Sequence, residues 1–197
     1  MNESAHVMRW IGPGSRVLDL GCGDGALLAR LRDERQVRGY GLEIDADDVA
    51  RCVARGVNVL RLDLDRDLAN FDSDSFDTVI LLQTLQAVRY PLALLREMLR
   101  IGREGVVTFP NFGHWRNRLQ LGLGGRMPVT PALPAQWYDT ENIHLFTLAD
   151  FESLCAQEGI DIVERALLDA SRREITMGRA WPALLCEVAL YRIRRTG

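Results

Sequence analysis

A chain of 197 residues is long enough for one well-buried core and short for two independent ones, so a single domain is expected. Hydrophobic residues at 47% and charged residues at 26% exclude a disordered or fibrous chain. A formal net charge of -3 argues against general nucleic-acid affinity, which normally shows as a basic stripe. The 24 basic residues are all arginines and lie scattered, which reads as a compositional bias rather than a set of anion sites. Cys22, Cys52, Cys155 and Cys186 form no CxxC pair, so neither a metal centre nor a disulfide framework is expected. No apolar run approaches the ~18 residues of a membrane span, and the first residues lack the layout of a secretory signal. The expectation is a cytoplasmic protein with no membrane partner.

In chain order, short apolar runs alternate with helical-period segments, the pattern of βαβ units and a mainly parallel sheet. Strands are predicted at 16–20, 37–43, 57–62, 76–82 and 105–109, with helices at 26–33, 47–55 and 92–101 between them. Residues 110–142 follow without a clear element. That is longer than the ~12 to 15 residues of ordinary loops, and such segments are usually lids or binding elements. This one carries His114, Trp115, Trp137, Tyr138 and the Gly124-Gly125 pair, with a short helix predicted over 114–121. It reads as a structured cover over the C-terminal edge of the sheet. A helix is predicted at 148–158, stopped by Gly159. Two last strands, 160–168 and 184–193, have no helix between them and can pair only antiparallel. The fold class is therefore α/β: a Rossmann-like, seven-stranded, mostly parallel sheet with a C-terminal antiparallel hairpin and helices on both faces.

The chemistry concentrates in Val17-Leu18-Asp19-Leu20-Gly21-Cys22-Gly23-Asp24-Gly25, an apolar strand that ends in an acid and runs through three alternating glycines into a helix. Glycines let the backbone turn sharply and approach a ligand, and the helix N-terminus offers free N–H donors. Asp19 would repel a dinucleotide's pyrophosphate but attract a ligand bearing an ammonium and a sulfonium, such as S-adenosylmethionine. This weighs against a nicotinamide-linked oxidoreductase. Glu43 ends the second strand twenty residues after Gly23, where a carboxylate can accept from ribose hydroxyls. Asp63 can accept from an adenine amine with Leu64 beside the base. Ile44 and, at the end of the fourth strand, Gln83 complete the predicted set. Each acid alone could be a cap or a solvated strand end; their joint placement carries the reading.

These motifs resemble the methionine-biosynthesis protein W (MetW) family, within the class I S-adenosylmethionine-dependent methyltransferases. The likeness runs from the glycine loop through Gly41-Leu42-Glu43-Ile44-Asp45, Asp63-Leu64-Asp65, Ser75-Phe76-Asp77, Gln83-Thr84-Leu85-Gln86-Ala87 and Glu97-Met98-Leu99-Arg100-Ile101-Gly102-Arg103. It continues through Phe109-Pro110-Asn111-Phe112-Gly113-His114-Trp115, Gly125-Arg126-Met127-Pro128, Trp137-Tyr138-Asp139-Thr140 and Asn142-Ile143-His144-Leu145-Phe146-Thr147. One departure is Glu141, where a proline is expected. The resemblance implies a cytosolic protein of methionine biosynthesis that binds S-adenosylmethionine or S-adenosylhomocysteine. It also implies pairing with homoserine O-acyltransferase to support or regulate homoserine acylation, with Asn111, His114, Trp115 and Arg126 as candidate docking or substrate-covering residues. The alternative is a methyltransferase acting on a small metabolite. Methyl transfer needs little beyond alignment of nucleophile and methyl carbon, so the lack of a visible catalytic residue does not decide between them.

Overall fold

The computed structural model describes residues 3–175 and 181–196. Seven strands form one sheet: β1 (Arg16–Leu20), β2 (Arg38–Glu43), β3 (Asn58–Arg61), β4 (Phe76–Leu82), β5 (Gly102–Pro110), β6 (Ile160–Leu168) and β7 (Val188–Arg195). The helices are α1 (Glu3–Trp10), α2 (Ala26–Arg35), α3 (Ala46–Ala54), α4 (Pro91–Ile101), α5 (Trp115–Gly124), α6 (Leu148–Gln157) and the short α7 (Pro182–Leu185). Strand order is β3-β2-β1-β4-β5-β7-β6. Pairing is parallel from β3 through β5, and β7 runs antiparallel to both β5 and β6. The chain reverses its direction of travel across the sheet between β1 and β4, the switch point at which open α/β sheets hold ligands.

Alternation along the central strands builds a core on each face. Val79 and Leu81 join Leu18, Leu20 and Val107 against α4 and α6, while Ile80 joins Val17 and Val106 against α1 and α2. On the first face Phe109 is fully buried, 4.6 Å from Phe146, 4.9 Å from Phe151 and 5.7 Å from Tyr191 between ring centroids. The Tyr191 hydroxyl donates to Glu152 at 2.8 Å, so the cluster joins β5, β7 and α6.

Most differences from expectation are element ends with local causes. The Asp45 carboxylate accepts from the N–H groups of Asp47 and Asp48, so α3 starts at Ala46. The cover helix begins at Trp115 and extends to Gly124, where Gly125 adopts φ +58. The last strand starts at Val188 rather than 184, because Pro182 opens a helical turn that Cys186 N–H closes onto the Pro182 carbonyl. Besides this short α7, α1 escaped prediction: it carries Val7 and Trp10, which with Ile11 are buried at helical spacing against the sheet.

Truncating Phe109 to Ala removes the shared member of the aromatic cluster and should lower unfolding free energy by about 3–5 kcal/mol. Urea denaturation followed by near-UV circular dichroism checks this. A loss below ~1 kcal/mol would contradict the packing described.

Candidate functional site

The glycine loop leaves β1 under steric instruction. Gly21 has φ +76, and a Cβ there would sit 2.9 Å from Thr84 Oγ1, so neither the conformation nor the space admits a side chain. Gly23 (φ +53) and Gly25 (φ +74) continue the left-handed turns into α2. The N–H groups of Gly21 and Cys22 both donate to the Leu42 carbonyl, at 2.8 and 3.1 Å, which fastens the loop to β2. Glu43 completes the clamp. Gly23 N–H donates to its Oε2 at 2.9 Å, and Ile44 and Asp45 N–H donate to its Oε1 at 2.8 and 3.0 Å.

A cleft of about 350 Å³ opens above this clamp, within the range of small-molecule sites. Of the residues expected from sequence, it brings together Gly21, Gly23, Glu43, Ile44, Asp63, Leu64 and Gln83. Asp19 lies beneath the loop at 2% exposure, and its Oδ1 has no hydrogen-bond partner. Burial first, and the negative charge of Glu43 second, push its carboxyl up to about 7. An orphaned acid oxygen under a glycine loop is what a cationic group entering the cleft would satisfy.

Cys22 and Gly25 do not line the cleft. The Cys22 sulfur lies 3.8 Å from that of Cys52, and a Cβ on Gly25 would meet Cys52 Sγ at 2.8 Å. Both pack the loop onto α3. Burial, followed by the charge of Asp19, pushes the Cys22 thiol well above its usual range, so it stays protonated.

Residues not named from sequence complete the lining: Leu42, Leu62, Asp65, Thr84, Ala87, Val88 and Glu141. Asp65 accepts from Arg89 and Tyr90 N–H at 3.2 and 3.3 Å and so fixes the approach to α4. Glu141 brings the cover segment to the cleft. At the far end, Gln83 takes a left-handed backbone (φ 52), its N–H donating to the Thr108 carbonyl and hydroxyl. The Gln83 amide donates to Glu3 Oε1 at 3.2 Å, and the Thr108 hydroxyl donates to the same oxygen. Glu3 could have been found only by recognising α1.

The cover corrects two expectations. Asn111 is buried, its amide donating at 2.8 Å to the Ala183 and Cys186 carbonyls while its oxygen accepts from Gly113 N–H. His114 is buried beside it, and desolvation lowers its pKa. Asn111 braces the segment from within, and neither side chain lies at the surface. Trp115 and Arg126 do lie at the surface. With Leu119 and Leu123, Trp115 forms an apolar stripe at four-residue spacing along α5, and Leu123 is 83% exposed. Arg116 stacks on Trp115 with its guanidinium 5.4 Å from the ring, and no acidic residue occurs from Pro110 through Tyr138.

The sheet order, the glycine clamp and the acids at successive strand ends define a protein of the class I S-adenosylmethionine-dependent methyltransferase fold. Solved structures agree. Similar are an S-adenosylmethionine-dependent methyltransferase from Mesorhizobium loti (TM-score 0.68, 20% identity, 96% of this chain and 95% of that one) and the [4+2]-cyclase SpnF (TM-score 0.70, 16% identity, 98% and 80%). The chain belongs to the methionine biosynthesis protein MetW family, whose pattern matches residues 2–193. A bifunctional methionine biosynthesis protein MetXA/MetW from Rhodopirellula baltica is 37% identical over 179 residues, covering 86% of this chain and 29% of that protein. A ubiquinone biosynthesis O-methyltransferase from Neisseria meningitidis serogroup A is 26% identical over 159 residues, 77% of this chain and 66% of the relative. The chain thus spans less than a third of the first relative's length.

Asp19 makes a test of the cleft's electrostatics. With its pKa raised, the folded protein keeps a proton that the unfolded chain releases, so this contribution to stability is full below pH ~4 and is lost as pH rises to about 7. The loss is on the order of 4 kcal/mol. Ligand-free Asp19→Asn protein should therefore gain melting temperature relative to wild type as pH rises from 4 to 8. Melting curves across that range check it, and parallel curves would show that Asp19 is not a strained acid.

Proposed function

We propose that this chain is a cytoplasmic accessory protein of methionine biosynthesis that binds S-adenosylmethionine or S-adenosylhomocysteine and pairs with homoserine O-acyltransferase to support or regulate homoserine acylation. The observation that carries the ligand half is the cleft itself. Asp19 offers an unpartnered oxygen to a cation, Glu43 and Asp63 stand at the ends of successive strands, and Ile44, 59% exposed, and Leu64 offer apolar faces to a base. These donor and acceptor types suit an adenosyl ligand with a charged amino-acid end. S-adenosylmethionine, when bound, would supply an activated methyl group on its sulfonium. The chain's own residues would hold and orient it: Glu43 at the ribose, Asp63 at the adenine amine, the glycine loop at the amino-acid end.

Family membership and the joined MetXA/MetW relative support the partner half. The surface suited to it is the stripe Trp115, Leu119 and Leu123 on α5, where nearby arginines would meet acidic groups of the acyltransferase. Exposed aromatic and arginine side chains around an apolar centre are the usual anchors of protein interfaces.

Mixing the purified acyltransferase with this chain, with and without each nucleoside, tests the whole reading. Acylation should rise with the chain present and respond to ligand. Glu43→Gln should abolish the response to ligand while leaving the pair intact. Leu119→Asp combined with Leu123→Asp should weaken pairing by about tenfold or more, measured by calorimetry, with nucleoside binding unchanged. An acyltransferase indifferent to the chain would refute the accessory role.

Similarity to ubiquinone biosynthesis O-methyltransferases favours one second reading, a methyltransferase acting on a small metabolite. Formation of S-adenosylhomocysteine in a metabolite screen would select it. Tight nucleoside binding without turnover would select the first.

A further inference from the structure

We propose that Glu3 is the residue by which the cleft prefers a ligand with a positively charged sulfur over its neutral thioether counterpart. The inference rests on the reading that the cleft takes an adenosyl ligand, and it adds a residue that no motif supplies. Glu3 begins α1, which Val7, Trp10 and Ile11 anchor on the same face of the sheet as Asp19 and Thr108. Its carboxylate is fixed from two strands, by the Gln83 amide at the end of β4 and the Thr108 hydroxyl on β5. Gln83 itself lines the cleft, so the acid stands immediately behind the lining where β4 ends.

The other carboxylates are less able to set a charge preference. Asp19 holds a proton over much of the range below neutrality because burial raises its pKa. Glu43 accepts three backbone N–H donors, and Asp63 accepts from Asp65 N–H and faces Arg66 at 3.6 Å. Among the described residues, the side chains that donate to Glu3 are neutral, and the cation that faces it, Arg172, stands off at 3.8 Å. A partly buried carboxylate so placed lowers the energy of a nearby positive charge more than that of an uncharged atom. The chemical class selected is a sulfonium nucleoside.

S-adenosylmethionine and S-adenosylhomocysteine share the base, ribose and amino-acid end and differ in the charge on sulfur, so their affinity ratio isolates this effect. Calorimetry on the full chain at pH 6, where Asp19 keeps its proton, should show Glu3→Gln, which keeps the size and an acceptor oxygen, lowering the ratio of S-adenosylmethionine to S-adenosylhomocysteine affinity by about fivefold. Arg172→Ala, which removes the opposing cation from a surface position, should raise the same ratio. An unchanged ratio in Glu3→Gln, or an equal loss of both ligands, overturns the inference while leaving the adenosyl reading standing. A wild-type chain that binds neither nucleoside overturns both. If Glu3→Gln fails to fold, the Arg172→Ala ratio decides, a fall or no change counting against the inference.

Discussion

The Glu43 carboxylate is the constraint on which the site depends. One side chain at the end of β2 gathers backbone N–H groups from the glycine loop and from the entry to α3. Because those donors come from different segments, the acid fixes the loop above β1 relative to the start of the next helix. The Leu42 carbonyl, accepting from Gly21 and Cys22, adds a backbone tie at the same place. The cleft is then the space left above a clamp, and its acidic lining follows from placing carboxylates where parallel strands end.

That clamp exacts a cost. Holding Asp19 under the loop beside Glu43 takes a carboxylate out of water with no partner for one of its oxygens. Groups left in this state persist where a ligand resolves them, because the same desolvation that destabilises the free acid strengthens its attraction for an incoming cation. The left-handed backbone of Gln83 is a second strained feature at the same edge of the sheet. Gln83 lines the cleft and Asp19 lies beneath its glycine loop, both apart from the fully buried aromatics around Phe109 that hold β5, β7 and α6 together.

The sequence was most legible where local chemistry and topology agree. β1 spans the expected residues, and Gly21, Glu43 and Asp63 line one cleft because glycine spacing and strand-end acids are local signals that the parallel sheet brings together. Cys22 and Gly25 belong to the same motif yet pack against Cys52, because Cys22 leaves the tight turn on the side away from the cleft and Gly25 already caps α2. Sequence spacing cannot say which side faces the ligand. Asn111 and His114 are buried for reasons the sequence does not display: polar residues in a long connection look like surface until tertiary structure covers them, Asn111 here by hydrogen bonds to Ala183 and Cys186. Glu3 was invisible because its partners lie 80 and 105 residues away and its helix is short.

The division of labour between the two ends of the chain's chemistry follows from what each surface can do. The cleft sets the carboxylates of Glu43, Asp63, Asp65 and Glu141 beside aliphatic side chains and is braced by hydrogen bonds, properties suited to a small ligand with both charged and apolar parts. Helix α5 buries only Asn117 and turns its leucines outward, so its own packing cannot account for its apolar content. Exposed leucines at helical spacing cost solvation unless something covers them. A fold shared by a methyltransferase and a [4+2]-cyclase fixes neither reaction nor partner. In this chain the distinguishing information therefore lies outside the sheet, in the cover segment that sends Glu141 to the cleft and α5 to the surface. Residues 125–140 connect those two features, so the proposed ligand site and the proposed partner surface share a structural element. Any effect of one on the other has a short path to follow.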